Sequence, residues 1–202
     1  MLANKLVVIM GATGTGKTKL SIDVARVIGG EVINADKMQI YAGLDIATNK
    51  VSIHDRCSIP HHLIGVVPST THNFPVSFFR SIATVTANFI ARRGHMPVVV
   101  GGSNSLIHGL LVDYFDSSLY NPFMLSNYWP SLRFQCCLLW IHANELVLKE
   151  YLNRRVDNMV DAGLVKELED YFDTSGSYVQ QTGLGKAIGV HELGKYFMGL
   201  KS

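Results

Sequence analysis

"GATGTGKT", residues 11–18, follows the apolar run "LVVIM" at 6–10, and its reading decides the fold. It fits the pattern G-x-x-x-x-G-K-[ST] through Gly11, Gly16, Lys17 and Thr18. Gly11, Gly14 and Gly16 let the backbone curl until its N–H groups surround an oxyanion. The helix opening at Lys17 adds its positive end, Lys17 adds a full charge, and Thr18 can ligate Mg²⁺. Strand, glycine loop and helix in that order predict a phosphate-binding α/β fold.

Working outward, Leu20, Val24 and Val27 recur at helical spacing with Ala25 and Ile28 alongside, and the glycines at 29–30 end that helix. "EVINA" (31–35) reads as a second strand, and "IPHHLIGVV" (59–67) as a short one. A helix is predicted over 77–94, capped by Ser77 and stopped by Gly94. "MPVVVGGSNSLIHGLLVD" (96–113) repeats the order strand, glycine turn, helix, and "CCLLWIH" (136–142) reads as a further buried strand. Residues 115–134 are turn-rich and read as a connector. A long amphipathic helix is predicted from Ala143 to Ala162, and Leu193, Tyr196, Phe197 and Leu200 form an apolar stripe near the end. Apolar strands alternating with helices imply a parallel sheet covered on both faces. The predicted architecture is a P-loop α/β core over 1–142, followed by a small helical segment over 143–202.

The bulk numbers narrow the function. With 48% apolar and 17% charged residues the chain can bury a core. A net charge of +2 gives no broad surface for tracking nucleic-acid phosphates. No apolar run reaches the ~18 residues that span a bilayer. No targeting segment precedes the first strand, so the expected compartment is the cytoplasm, or a plastid if such a segment is missing. Three cysteines make no disulfide framework, and the adjacent Cys136 and Cys137 are expected to be buried small hydrophobes.

Phosphoryl transfer on such a loop normally uses an acid at a nearby strand end to hold Mg²⁺. "MPVVVGG" ends in glycine and offers none. Asp36 does follow "EVINA", on the sheet rim where open α/β folds place ligands, and Lys37 is next to it. A carboxylate there can take a proton, help hold a metal, or simply make a turn or helix cap. Ser103 in "GGSNS" (101–105) either caps a helix or binds a substrate oxygen. His61 and His62 lack any zinc spacing and read as packing residues. Lys149, Arg154 and Arg155 lie on a helix where position alone singles out none.

Several strings together resemble the isopentenyltransferase family, in the family's order: "GATGTGKT", "INADKMQIYAGLDIATNK", "PHHLIG", "VVVGGSNSLI", "RRVDNMVDAGLVKEL" and "KAIGV". "GGSNS" is similar to the plant adenylate isopentenyltransferases of cytokinin synthesis, where tRNA-modifying members carry a GGTGLY-like string. The resemblance implies that the loop holds the diphosphate of dimethylallyl diphosphate while the prenyl group moves to N6 of adenine in a free nucleotide, ATP or ADP before AMP. It implies Asp36 as general base and Thr13 bonded to the bridging oxygen of the leaving diphosphate. Lys17, Arg155 and Thr18 with Mg²⁺ would stabilise that charge. Lys37, Ser103 and Lys186 would complete the phosphate and nucleotide contacts, on a monomer with no membrane partner. Gly185 and Tyr114 stand where the family usually has basic residues, and His191 where it has proline. The chain also stops at Ser202 where members continue for several helices, which implies weak acceptor positioning. Three rival readings are transfer onto tRNA, a small-molecule kinase with Asp36 as base, and an inactive nucleotide-binding remnant.

Overall fold

The computed structural model describes residues 4–115, 131–175 and 183–199. Five parallel strands form one sheet in the order β3-β2-β4-β1-β5. They are β1 (Lys5–Gly11), β2 (Gly30–Asn34), β3 (His61–His62), β4 (Met96–Gly101) and β5 (Gln135–Ile141). Helix α1 (Lys17–Ile28) leads from β1 to β2, α2 (Val76–Arg92) precedes β4, and α3 (Asn104–Leu111) follows it. This is the predicted parallel sheet with crossover helices. β1 and β4 are neighbours, yet the chain leaving β1 crosses to β2 on one side and the chain leaving β4 passes β1 to reach β5 on the other. Right-handed crossovers place α1 and α3 on opposite faces, and the divergence opens a crevice at the C-terminal ends of these two strands.

All five residues of β2 are buried, and Ile9, Ala25, Val32 and Val98 form a core cluster under α1. The face of α1 differs from the predicted stripe. Ser21, Ile22 and Ala25 are its buried residues, Leu20 and Val24 pack at the cluster's margin, and Val27 is 85% exposed. Ser21 turns its hydroxyl to the carbonyl O of Thr18 at 2.7 Å, so a small polar residue occupies the contact line without an unmet bond. In α2 the cap is Pro75, whose carbonyl accepts from the amides of Phe78 and Phe79, and Ser77 lies inside the first turn. β5 is an edge strand. Cys137 is exposed, Cys136 is half-buried, and Trp140 is 78% exposed; no residue of β5 is fully buried, so the expected buried strand is not found. With β1 on one side alone, a parallel strand loses the cover that its apolar composition predicts.

The chain divides into two compact units. The first holds residues 1–36, 53–63 and 75–142, which carry the sheet, α1, α2 and α3. The second holds 37–52, 64–74 and 143–202, with α4 (Glu145–Asp161), α5 (Leu164–Ser175) and α6 (Val190–Gly199). One break falls after residue 142, and residues 37–52 and 64–74 group with the helical part. The hydrogen bonds show why. Glu167 of α5 accepts from the amides of Ile46 and Ala47, both at 2.9 Å, and the amide of Gly183 donates to the carbonyl O of Thr71. α4 buries only Met159. Of the final stripe, Phe197 is buried against Phe172, Tyr196 is exposed, and Leu200 lies outside the described residues, as does most of the 115–134 connector.

Candidate active site

The phosphate loop is shaped by its glycines. Gly14 and Gly16 have φ of 80° and 86°, the left-handed region that a side chain would strain, and Gly16 caps α1 with no side-chain bond. A Cβ on Gly11 would collide with the carbonyl of Ile141 in β5, so the loop leaves the sheet where two strands meet closely. Lys17 extends its ammonium back over the loop and donates to the carbonyl O of Ala12 at 2.5 Å, and the Thr15 hydroxyl donates to the same oxygen at 2.8 Å. No acidic side chain sits in the first turn of α1, so the positive end of that helix is left to an anion. Thr13 and Thr18 are exposed, with Thr18 one residue into the helix.

β4 brings the second glycine turn beside this loop. A Cβ built on Gly102 would stand 3.6 Å from the Gly11 carbonyl O and 4.0 Å from the Lys17 ammonium, which is ordinary contact. Ser103 occupies the N-cap position of α3 with no side-chain cap bond, and its carbonyl O accepts from the amides of Leu106 and Ile107. The amide of Ser103 donates to the carbonyl O of Ala35 at 3.4 Å, and that of Ala35 to the carbonyl O of Val100 at 2.7 Å. These bonds place Asp36, half-buried, on the rim of β2 next to the end of β4.

One residue that motif reading passed over stands behind Asp36. Asn34 is 3% exposed. Its Oδ1 accepts from the amide of Asp36 at 3.0 Å, while Nδ2 donates to the carbonyl oxygens of Asp36 at 3.1 Å and Leu63 at 3.0 Å. The only signal in the sequence is an asparagine that ends the strand just after the apolar pair Val32–Ile33. At the far end of β2, Glu31 is buried and paired, with Arg93 Nη2 at 2.6 Å and His62 Nε2 at 2.7 Å. Burial pushes its carboxyl up, but Arg93 and His62 outweigh this and hold it below the usual range. His61 is pushed down, mainly by burial, and is a packing residue as expected, whereas His62 differs from that expectation by pairing with Glu31.

The first unit thus gathers Gly11, Thr13, Gly14, Gly16, Lys17, Thr18, Asp36 and Ser103 at one end of its sheet. Lys37, Arg155 and Lys186 belong to the second unit, where Arg155 is half-exposed on α4 and Lys186 is exposed in a single 3₁₀ turn at Leu184–Lys186. For Mg²⁺, no group of three or more His, Cys, Asp or Glu side chains stands together among the described residues. The donors that fit are the exposed Thr18 hydroxyl and the oxygens of a bound diphosphate, the arrangement in which Mg²⁺ keeps several waters.

The family model described as "IPP transferase" matches residues 39–124 and 117–202, and the one described as "Isopentenyl transferase" matches residues 4–55. The chain belongs to the isopentenyltransferase family. It is 46% identical over 195 residues to adenylate isopentenyltransferase 8, chloroplastic, of Arabidopsis thaliana, covering 96% of this chain and 59% of that protein. Against the adenylate isopentenyltransferase of Humulus lupulus the figures are 47% over 197 residues, covering 94% and 60%. The chain therefore spans about three fifths of the length of these relatives. Among solved structures, the tRNA isopentenylpyrophosphate transferase of Staphylococcus epidermidis superposes with a TM-score of 0.82 at 26% identity, covering 96% of this chain and 81% of that one. A eukaryotic dimethylallyltransferase acting on tRNA superposes with a TM-score of 0.86 at 24% identity, covering 98% and 64%, and so shares the fold. Family membership matches the resemblance carried by the six sequence strings.

Proposed function

We propose that this isopentenyltransferase-family chain transfers the dimethylallyl group of dimethylallyl diphosphate to N6 of adenine in a free nucleotide, ATP or ADP before AMP. One observation carries the reading: the phosphate loop shares its end of the sheet with Asp36, while the neighbouring strand β4 ends on Gly101, is followed by Gly102, and offers no carboxylate for phosphoryl transfer. The loop holds the diphosphate and Asp36 faces the amine.

As the bond between the allylic carbon and the diphosphate oxygen breaks, the new bond from N6 forms. The electron pair leaves with the diphosphate, and the N6 proton passes to Asp36. Backbone amides of the loop, the end of α1 and Lys17 stabilise charge that grows on the leaving group, so they favour the transition state over the bound donor. Thr13 bonds the bridging oxygen. Thr18 would hold Mg²⁺, which would supply further charge neutralisation when bound. Arg155 is assigned to the diphosphate charge, and Lys37, Ser103 and Lys186 to phosphate and nucleotide contacts, on the resemblance alone. A carboxylate that removes the proton as the bond forms contributes ~10²–10⁴-fold. Several relatives are described as chloroplastic, which supports a plastid setting. The reaction needs one copy of the chain and no membrane; no described helix is long and apolar enough to cross one.

The test is incubation of the chain with labelled dimethylallyl diphosphate, Mg²⁺ and, separately, ATP, ADP, AMP and unmodified tRNA. Prenylated nucleotide and unmodified tRNA are expected. Transfer to tRNA alone would make the acceptor a nucleic acid, and phosphate transfer from ATP to a small hydroxyl would make the chain a kinase.

A further inference from the structure

We infer that Asn34 is a positioning residue for the reaction, holding the Asp36 main chain so that its carboxylate stays aimed from the sheet rim. The inference rests on Asp36 acting as the base in the reaction proposed above.

The side-chain amide of Asn34 makes three of its four possible hydrogen bonds, all to main-chain groups. Oδ1 accepts from the Asp36 amide, and both hydrogens of Nδ2 go to carbonyls, those of Asp36 and Leu63. The opposite orientation of the amide would set N–H against N–H and oxygen against two carbonyls, so the bonding pattern fixes it. Asp36 is thereby gripped on both of its peptide groups by one side chain, itself 3% exposed. Leu63 is held with φ of 61°, in the left-handed region that costs a leucine about 1–3 kcal/mol and persists only where the surroundings impose it. Asp36 and Leu63 are also the residues at which the chain twice leaves the first unit, before 37 and before 64. The amide therefore ties together two exits of the chain at the point where the base stands.

An apolar residue would suit the strand position equally for packing, because the rest of β2 is buried around it. An amide there is worthwhile for what it holds. Replacing it leaves three main-chain groups without their partner and frees the Asp36 peptide to rotate. A displacement of about 1 Å in a reacting group can cost ~10²-fold in rate.

A double-mutant cycle separates this role from general support of the fold. Asn34→Ser and Asn34→Asp, the latter keeping the acceptor for the Asp36 amide, are measured alone and combined with Asp36→Asn. The readouts are kcat, nucleotide KM and donor affinity by calorimetry. Expected are a kcat lowered about tenfold or more in Asn34→Ser, a smaller loss in Asn34→Asp, and unchanged donor affinity. With Asp36 already replaced, either Asn34 change should cost less than twofold more, because residues that act as a unit are not additive. Full additivity in the cycle, or a kcat unchanged in Asn34→Ser, overturns the inference. If Asp36→Asn alone keeps wild-type turnover, or the wild-type chain prenylates no nucleotide, the proposed function is what fails. Should Asn34→Ser not fold, the same cycle on Asn34→Asp decides.

Discussion

Gly101 and Ala35 meet backbone to backbone: a Cβ on Gly101 would collide with the carbonyl group of Ala35, one peptide before Asp36. Alanine at 101 must therefore push the Asp36 peptide away from the phosphate loop. Gly101→Ala should cost about 1–3 kcal/mol, as overpacking does, and lower transfer by ~10²-fold through displacement of the base. Gly102→Ala is the control, since its Cβ meets only ordinary contacts and its stability should be unchanged. Urea melts and initial rates on the two variants check this.

The Lys17 ammonium bends back to the Ala12 carbonyl, within the loop that would receive the diphosphate. Lys17→Ala removes one full charge from donor binding, and charge-assisted bonds contribute about 1.5–3 kcal/mol. Donor affinity by calorimetry should fall at least tenfold. Unchanged donor binding with loss of ATP binding measured alone would favour the kinase reading.

Two groups in the first unit make it labile in acid. Glu31 has its carboxyl lowered in the folded state by Arg93 and His62, against the push of burial. His61 is lowered because burial disfavours its charged form. In both cases the unfolded chain binds the proton more readily than the folded one, so stability rises with pH across the window between the two values. The loss should begin as pH falls below about 6.5, the ordinary value for His61, and continue below about 4.5, the ordinary value for Glu31. Thermal melts from pH 8 to pH 4 should show it. Arg93→Ala leaves Glu31 buried with one partner fewer and should destabilise by about 3 kcal/mol at pH 7.

Glu167 is the bond between α5 and the strap at 37–52. Inside the strap, Lys50 Nζ holds the Gly43 carbonyl O at 2.6 Å and Gln39 Nε2 the carbonyls of Thr48 and Asn49. Glu167→Ala frees the Ile46 and Ala47 amides. Hydrogen exchange at these two amides should quicken while the amides of β1 and β4 keep their protection. Equal protection in the variant would show that the strap is held from within.

Much of this was legible in the sequence because local chemistry and global fold agree there. The phosphate loop, the glycine turn after β4 and the strands around them follow from motif and apolar runs alone. Asp36 is legible on the rim because it follows a strand, and strand ends in open α/β sheets are where ligands bind. Three features were not legible, each for a physical reason. Val27 faces solvent because Ser21, a small residue with its own local bond, takes the contact line of α1. Trp140 and Cys137 are exposed because an apolar strand carries no mark of being at the sheet edge. The grouping of 37–52 with the helices depends on Glu167, and a carboxylate more than a hundred residues away leaves no local pattern to read.

That separation also orders the birth of the molecule. The strap is made before α5, and Glu167 follows Ile46 by 121 residues. At about 5–20 residues per second the wait is on the order of ten seconds. Meanwhile Leu44 and Asn49, which end with φ of 50° and 52°, have no distant carboxylate to hold them in that unfavoured region. β1, α1 and β2 come from the first 34 residues, yet β4, which joins β1 to β2, ends at residue 101. Nascent chains halted before residue 167 should therefore carry a strap open to proteases, and release past that point should close it.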